Sequence, residues 1–224
     1  MIEIVYKTEN YVVVYKPSSI PAQSDKSGDT DAMTLASEKL KELSENEKLW
    51  LVHRLDRVVG GLIVFARNRE YAAKLSAIVG GCGMTKEYFA IVEGKCEGGV
   101  LRDFLYKDSR QSKAFVTDRA RSGAKEAVLE YSVLSVKDTD RGVRTLVRIK
   151  LHTGRFHQIR AQFAARKLSL VGDGKYGSHD NRAKFPALFA ARLAFRIDND
   201  FCDIKKLPDL SEYPWSLFES EDYQ

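Results

Sequence analysis

"LVHRLDRVVGGLIVFARN", residues 51–68, is the stretch from which the fold of this chain can be inferred. It places an imidazole, a guanidinium and a carboxylate within four positions, in His53, Arg54 and Asp56. The apolar run at 62–66 follows and predicts a buried strand. Charged groups beside a buried strand are costly unless they are paired, and loop-to-strand edges are common places for catalytic groups. Asp56 is therefore a candidate catalytic residue; the alternative is that it caps a turn and pairs with Arg54 or Arg57.

The composition is that of a globular protein with a mildly basic surface. The chain has 224 residues, of which 44% are hydrophobic, and Lys and Arg exceed Asp and Glu by 36 to 31. This predicts one domain, over residues 1–224, which is large enough to form two lobes. The basic excess is compatible with a nucleic-acid partner but does not require one.

Cysteine usage and the N-terminus indicate a cytoplasmic location. The three cysteines, Cys82, Cys96 and Cys202, lack C-x-x-C spacing and are interpreted as reduced thiols. The N-terminus has no signal-peptide pattern, and no apolar run approaches about 18 residues. We therefore expect neither export nor a membrane span.

Alternation and helical spacing predict most of the regular elements. Strands are expected at residues 2–6 and 11–16, as a hairpin, and at 86–93, 127–136, 143–151 and 187–197. A first helix is expected after a cap at Thr30 or Asp31, with its end near Asn46. A second is expected from Arg69 to Val79, ended by a glycine-rich segment. Tyr88 lies in the strand at 86–93, where a core tyrosine with a satisfied hydroxyl is the default interpretation.

Two segments concentrate positive charge. Residues 102–125 carry seven basic and three acidic side chains, with Phe104, Tyr106 and Phe115 among them. A solvated edge explains this pattern, and so does RNA binding, which uses basic and aromatic residues together. In the strand at 143–151, alternation places Arg144, Arg148 and Lys150 on one face, which predicts a second electropositive surface.

The segment "HTGRFHQIRAQFAARK", residues 152–167, predicts a strand-to-helix turn at Gly154. Arg155 would then lie in the first helical turn, where the helix dipole disfavours a cation. A cation at such a position is expected to have an anionic partner, and Asp56 is the natural candidate.

Five motifs in this order resemble those of the RluA-like RNA pseudouridine synthases. "HRLDRVVGGLIVFAR" resembles the family signature H-R-L-D-x-x-T-S-G-L-L-L-F-A, with Val59-Gly60 in place of Thr-Ser. The others are "YKPSSIP", "KEYFAIVEG", "LHTGRFHQIRAQFA" and "VGDGKYG". The resemblance covers most of the chain. It implies a single α+β catalytic domain without an S4-type RNA-binding domain, built on a mixed, mostly antiparallel central sheet with flanking helices and an RNA-binding cleft.

The reaction that the resemblance implies is the isomerisation of uridine to pseudouridine within rRNA or tRNA. It assigns Asp56 as the catalytic carboxylate, with Tyr88 against the uracil and Arg155 as the partner of Asp56. Asp56 would either attack C1′ or remove a proton from C2′, and the sequence leaves this choice open. No cofactor and no metal are implied, and a monomer is expected.

RNA contacts are expected from eight further residues, which come from the signature, the helix motif and the two basic segments. They are His53, Arg54, Arg110, Lys113, Arg148, Gln158, Ile159 and Arg160.

Three alternatives remain open at this stage. A metal hydrolase could use His53, Asp56, His152 and His157, but their spacing matches no standard zinc pattern. A non-catalytic RNA-binding or assembly protein on the same fold would bind RNA without forming product. A nucleoside glycosidase would normally need a second carboxylate to activate water.

Overall fold

The strand predicted after Asp56 is present and forms the centre of its unit. In the computed structural model, β4 spans Gly60–Ala66, and each of its residues is buried. The structure describes residues 1–24, 28–43, 45, 48–117 and 122–224. These residues form two compact units, one made of residues 1–86 and 190–206 and the other of residues 87–189 and 207–224.

The first unit is a sheet with two helices. Its strands are β1 (Glu3–Lys7), β2 (Tyr11–Lys16), β3 (Trp50–Leu51), β4, β10 (Leu188–Ile197) and β11 (Asp200–Lys205), and its helices are α1 (Ala32–Glu42) and α2 (Arg69–Gly80). The strand order is β1-β2-β4-β10, with β11 on β10 and β3 on β4. The β1–β2 hairpin and the β2–β4 ladder are antiparallel.

Both helices begin at side-chain caps. Asp31 accepts a hydrogen bond from the Thr34 amide at the start of α1, and Asn68 accepts one from the Tyr71 amide at the start of α2. The sequence places α2 within one residue of its observed end. The predicted end of the first helix near Asn46 lies outside the described residues, and α1 as described ends at Glu42.

The second unit contains a five-stranded antiparallel ladder in the order β5-β9-β8-β6-β7. The strands are β5 (Thr85–Glu93), β6 (Gly99–Asp108), β7 (Lys113–Thr117), β8 (Ala124–Thr139) and β9 (Gly142–Leu151). The short helix α3 (Gln158–Ala164) packs on the β6–β7 hairpin, through Ala161. This hairpin occupies much of the basic segment 102–125, of which residues 118–121 lie outside the described part.

The predicted electropositive face of β9 is wrong at Arg144, which is buried, whereas Arg148 is half-buried and Lys150 is exposed. Arg144 is 4% exposed and donates to the carboxylate of Asp180 at 3.1 Å. Asp180 is also bound by Arg182 and by the Tyr213 hydroxyl. An unpaired charge at such depth would be costly, and Arg144 can be buried because the Asp180 carboxylate is buried beside it and pairs with it.

The C-terminal residues cover another part of the same strand. The Arg148 guanidinium donates to the backbone oxygen of Tyr223 at 3.2 Å, and the Tyr223 ring meets Phe89 edge-on at 5.1 Å. Arg148, predicted to contact RNA, therefore has an intramolecular role. In the described part of the chain, no helix has the length and apolar character needed to cross a bilayer.

Candidate active site

Asp56 lies at the first position of a tight turn that leads into β4. The Val59 amide donates to its backbone oxygen at 3.0 Å, and its side chain is half-buried. The next residue, Arg57, exchanges two hydrogen bonds of 2.9 Å with Ser19, one through its carbonyl and one through Nε. The loop after β2 thus holds the Asp56 turn in place.

Lys16 is the residue of this area that the sequence analysis missed. It is completely buried, and its ammonium donates to the carbonyl oxygens of Pro17, Ile20 and Arg57 at 3.0, 2.8 and 3.3 Å. Burial lowers the pKa of Lys16 to about 7, and the negative charge of Asp56 acts in the opposite direction. The ammonium therefore links the Asp56 turn to the preceding loop. The signal for this role was a lysine that ends an otherwise apolar strand.

His53 has a structural role within the first unit, and its predicted contact with RNA stays a prediction. Its Nε2 accepts a hydrogen bond of 3.2 Å from the Val64 amide of β4. Burial, with a smaller effect from Lys86, lowers the pKa of His53 to about 3, so the imidazole is neutral at physiological pH. Arg54, the next residue, is exposed and stays a predicted RNA contact.

Tyr88 lies in β5 and is 7% exposed. In the antiparallel ladder it is opposite Ile149 of β9. Its neighbours Phe89, Ala90, Ile91 and Val92 are buried too, so β5 is covered on both faces rather than on one. The predicted contact of Tyr88 with uracil stays a prediction.

Arg155 is presented by a loop that is fastened to β8. Its Nε donates to the Glu126 carbonyl at 2.8 Å, and its amide donates to Oε1 of Gln158 at 3.0 Å. The same Oε1 accepts from the Thr153 hydroxyl at 2.8 Å, while Nε2 of Gln158 donates to Val128. The side chain of Arg155 is nevertheless exposed, as a group that meets a substrate should be.

The position of Arg155 relative to the helix differs from the prediction. Helix α3 begins at Gln158 with His157 as its cap, and His157 has a left-handed backbone with φ of 51°. The chain is therefore not helical at Arg155, and the helix dipole gives no reason for an anionic partner there.

Two further predicted RNA contacts have buried intramolecular roles. Gln158 is 3% exposed and fastens the Arg155 loop, as described above. Arg160 is 4% exposed, and its Nε and Nη2 donate to the two carboxylate oxygens of Asp173, each at 2.7 Å. Their predicted contacts with RNA stay predictions. Ile159, which lies between them in the sequence, is buried as well.

The β6–β7 hairpin combines cations with aromatic rings, as its sequence indicated. The Lys113 ammonium lies 4.8 Å from the Tyr176 ring centroid and 5.6 Å from that of Phe115, which is 38% exposed. The Lys107 ammonium lies 4.6 Å from the Phe156 ring centroid. Arg110 is exposed at the turn of the hairpin. We call the residues 107, 110, 113 and 115 the hairpin cluster.

The predicted catalytic residues are divided between the two units. Asp56 belongs to the first unit, and Tyr88 and Arg155 belong to the second. The pairing of Asp56 with Arg155 stays a prediction. Among the described residues, no group of three or more His, Cys, Asp or Glu side chains is arranged to hold a metal ion.

Comparison with known proteins identifies the family. Residues 10–165 match the family model described as RNA pseudouridylate synthase. The chain belongs to this family. The predicted resemblance and the enzyme class, an isomerase that acts on RNA, are thereby confirmed. The match includes Asp56, Tyr88 and Arg155, although it does not by itself assign a role to any of them.

Relatives and solved structures agree with this family. The chain is 28% identical over 221 residues to "Ribosomal large subunit pseudouridine synthase D" of Borreliella burgdorferi, covering 95% of this chain and 65% of that protein. It is 29% identical over 201 residues to "tRNA pseudouridine synthase C" of Vibrio vulnificus, covering 85% and 80%. The structure of human RNA Pseudouridylate Synthase Domain Containing 4 superposes with a TM-score of 0.76 at 23% identity, covering 92% of this chain and 89% of that one. This last likeness confirms the predicted α+β fold.

Proposed function

We propose that this protein isomerises uridine to pseudouridine in rRNA or tRNA, with Asp56 as the catalytic carboxylate. The observation that supports this most directly is the Asp56 turn. A half-buried carboxylate lies in a turn that the loop after β2 and the buried ammonium of Lys16 hold in place, within a chain of this family. The names of two relatives point to large-subunit rRNA and to tRNA respectively.

The isomerisation conserves atoms and electrons, so it needs no co-reactant. The N1–C1′ bond breaks, and the electron pair leaves with the uracil. Asp56 either forms an ester with C1′ or takes the C2′ proton to give a glycal. After the ring turns, C5 bonds to C1′. In the ester route the C1′–O bond to Asp56 breaks as this bond forms and the carboxylate is released, and in the glycal route C2′ regains its proton. The C5 proton then departs, and N1 takes up a proton. Tyr88 packs against the uracil, and it or a water-linked base removes the C5 proton.

Binding to RNA is assigned to the hairpin cluster and to Arg54. Lysines and arginines neutralise phosphates, and an exposed phenylalanine offers a stacking surface for an unpaired base. The enzyme must extrude its uridine from the stack because C1′ and C5 are otherwise inaccessible, at a cost of a few kcal/mol. Phosphate contacts of the hairpin cluster offset this cost. A monomer and a cytoplasmic location stay predictions.

The test is tritium release from [5-³H]uridine-labelled RNA taken from cells that lack the gene. Wild type, Asp56→Asn and Asp209→Asn are compared, with and without EDTA. Asp209 is an exposed aspartate whose carboxylate caps Ser211, so it controls for the loss of one charge. We expect release from wild type and Asp209→Asn, indifferent to EDTA, and only background from Asp56→Asn. Fractionating the RNA then identifies the target class.

The competing proposal is a non-catalytic RNA-binding protein on the same fold. It predicts tight RNA binding with no release by any of the three proteins. Substantial release by Asp56→Asn would instead refute the assignment of the carboxylate while leaving the activity intact.

The hairpin cluster has its own test in the salt dependence of RNA affinity. Lys113→Ala should weaken binding for all sequences and lower the slope of log K against log salt by about 1. Phe115→Ala should cost about 1–3 kcal/mol of binding with an unchanged slope. Lys39→Ala, on helix α1 of the first unit, is the matched control.

A further inference from the structure

The motif "VGDGKYG" contributes a buried tyrosine that connects three elements of the second unit. Tyr176 is 6% exposed and ends the 3₁₀ turn Gly174–Tyr176. Its hydroxyl oxygen accepts from the Ala114 amide of β7 at 2.8 Å and lies 3.0 Å from Nδ1 of His157. One hydroxyl group thus joins the β6–β7 hairpin to the cap of α3.

The proton of this hydroxyl has a definite set of acceptors. Burial, followed by the nearby cation Arg160, lowers the pKa of His157 to about 3, so the imidazole is neutral. Its Nδ1 can accept the hydroxyl proton, and the Ala114 carbonyl at 3.3 Å is the other acceptor. The oxygen already accepts the Ala114 amide. The hydroxyl therefore has both a donor and an acceptor partner within the protein.

The ring of Tyr176 and the ring of His157 are fixed as well. The Arg160 guanidinium lies 5.0 Å from the Tyr176 ring centroid and is itself held by Asp173. The His157 ring stacks on Phe156 at 3.8 Å with an interplanar angle of 18°. Phe156 in turn lies under Lys107 of the hairpin.

This arrangement sits between the RNA contacts and the candidate catalytic segment. His157 is two residues after Arg155 and two before Ile159, while Ala114 follows Lys113 of the hairpin cluster. A change in the distance between Ala114 and His157 would alter the position of the hairpin cluster relative to Arg155. Catalysis is sensitive to such shifts, because a displacement of about 1 Å can cost about a hundredfold in rate.

We propose that Tyr176 is a positioning residue whose hydroxyl sets the register between the RNA-binding hairpin and the Arg155–Ile159 segment. It touches no substrate. Bound RNA is held by the hairpin in either case, and the hydroxyl determines whether the uridine then meets the catalytic segment correctly. The inference rests on the proposed function for its catalytic readout.

The test is Tyr176→Phe, which removes one oxygen and keeps the ring. We expect kcat for tritium release to fall about tenfold, the size of one lost buried hydrogen bond of about 1.4 kcal/mol. RNA affinity should change less than about twofold. Hydrogen exchange of the Ala114 amide should become faster, because its acceptor is gone.

Two other tyrosines of the same unit serve as controls. Tyr213→Phe removes a hydroxyl that binds Asp180, so it reports the effect of a purely structural bond. Tyr131→Phe alters a tyrosine whose ring meets Phe163 edge-on at 5.0 Å. All variants are assayed at a temperature where thermal unfolding shows them folded, and both controls should retain kcat.

The outcomes separate this inference from the proposed function. If wild type and both controls release tritium and Tyr176→Phe does so at the same kcat, the positioning role is refuted. An equal loss of kcat in Tyr213→Phe would also refute it, since it would show a general response to destabilisation. No release by wild type would overturn the proposed function itself, and the positioning role of Tyr176 with it.

Discussion

Removing one partner of the buried Arg160–Asp173 pair should destabilise the second unit strongly. The two side chains are 5% and 1% exposed, and both hydrogen bonds measure 2.7 Å. Asp173→Asn keeps the shape of the side chain but leaves the buried Arg160 guanidinium without its counter-charge. The new NH2 group would also face an N–H donor of Arg160 where a carboxylate oxygen now accepts. Breaking such a pair costs about 3–5 kcal/mol, and the retained amide oxygen favours the lower value of about 3.

The assay is thermal unfolding monitored by calorimetry, together with urea titration at 25 °C. For a chain of this size, about 3 kcal/mol corresponds to a decrease in Tm of roughly 6–12 °C. Asp140→Asn is the matched control, because Asp140 is 71% exposed in its pair with Arg182. That change should cost no more than about 1 kcal/mol.

The double variant Arg160→Met/Asp173→Leu tests the reason for the loss. Replacing both charges by apolar groups removes the uncompensated charge, so much of the stability should return. A double variant that is less stable than Asp173→Asn, or a single variant no worse than Asp140→Asn, would refute the reasoning from buried charge.

Three further predictions concern stability. Gly61 has φ of +125°, and a Cβ at this position would lie 2.7 Å from the backbone Cα of Ala190 in β10, so Gly61→Ala should lower the yield of folded protein. Gly80→Ala is the control, because a Cβ at Gly80 would meet no atom within 4 Å and should not lower the yield. Circular dichroism and Tm are compared for the two variants. Burial alone would raise the pKa of Asp180, but hydrogen bonds from two arginines and Tyr213 outweigh it and hold the pKa below its usual range. The stabilisation by the Asp180 carboxylate is complete above the unfolded pKa of about 4 and is lost progressively at lower pH. The free energies of unfolding of wild type and Asp180→Asn, from urea titrations, should therefore approach each other as the pH falls below about 4. Burial lowers the pKa of Lys16 to about 7, so between pH 7 and about 10.4 the unfolded chain binds more protons than the folded one. Over this range the free energy of unfolding of wild type should rise relative to that of Lys16→Met, by at most about 4–5 kcal/mol. Parallel dependences of the two free energies on pH would contradict this.

Short-range patterns in the sequence were sufficient for many elements. Alternation located the β1–β2 hairpin and β5, β8 and β9, a continuous apolar run located β4, and helical spacing ended by a glycine-rich segment located α2. The β6–β7 hairpin was missed as a pair of strands, because charged and aromatic residues alternate there without an apolar face of regular period. Strands of this kind are stabilised by their neighbours more than by their own composition.

Side chains whose partners are distant in the sequence could not be placed. Arg144 is buried because Asp180, 36 residues later, is buried with it, and Arg160 because Asp173 is. A single sequence shows the arginine but not its carboxylate, so both appeared to be surface cations. The start of α3 was predicted too early because the left-handed backbone at His157 leaves no mark in an apolar pattern.

The first unit is discontinuous in the chain, and this has a consequence during synthesis. Its core combines Leu62 and Val64 of β4 with Leu193, Phe195 and Ile197 of β10. A ribosome that has made residue 86 must still add residues 87–189 before β10 emerges, which takes roughly 5–20 seconds. Throughout that interval one edge of the wholly apolar β4 lacks its partner strand, and unpaired apolar edges recruit other chains. When translation stalls or the mRNA is truncated before β10, the solubility of the nascent chain is therefore affected first, before the free energy of unfolding of the complete protein matters.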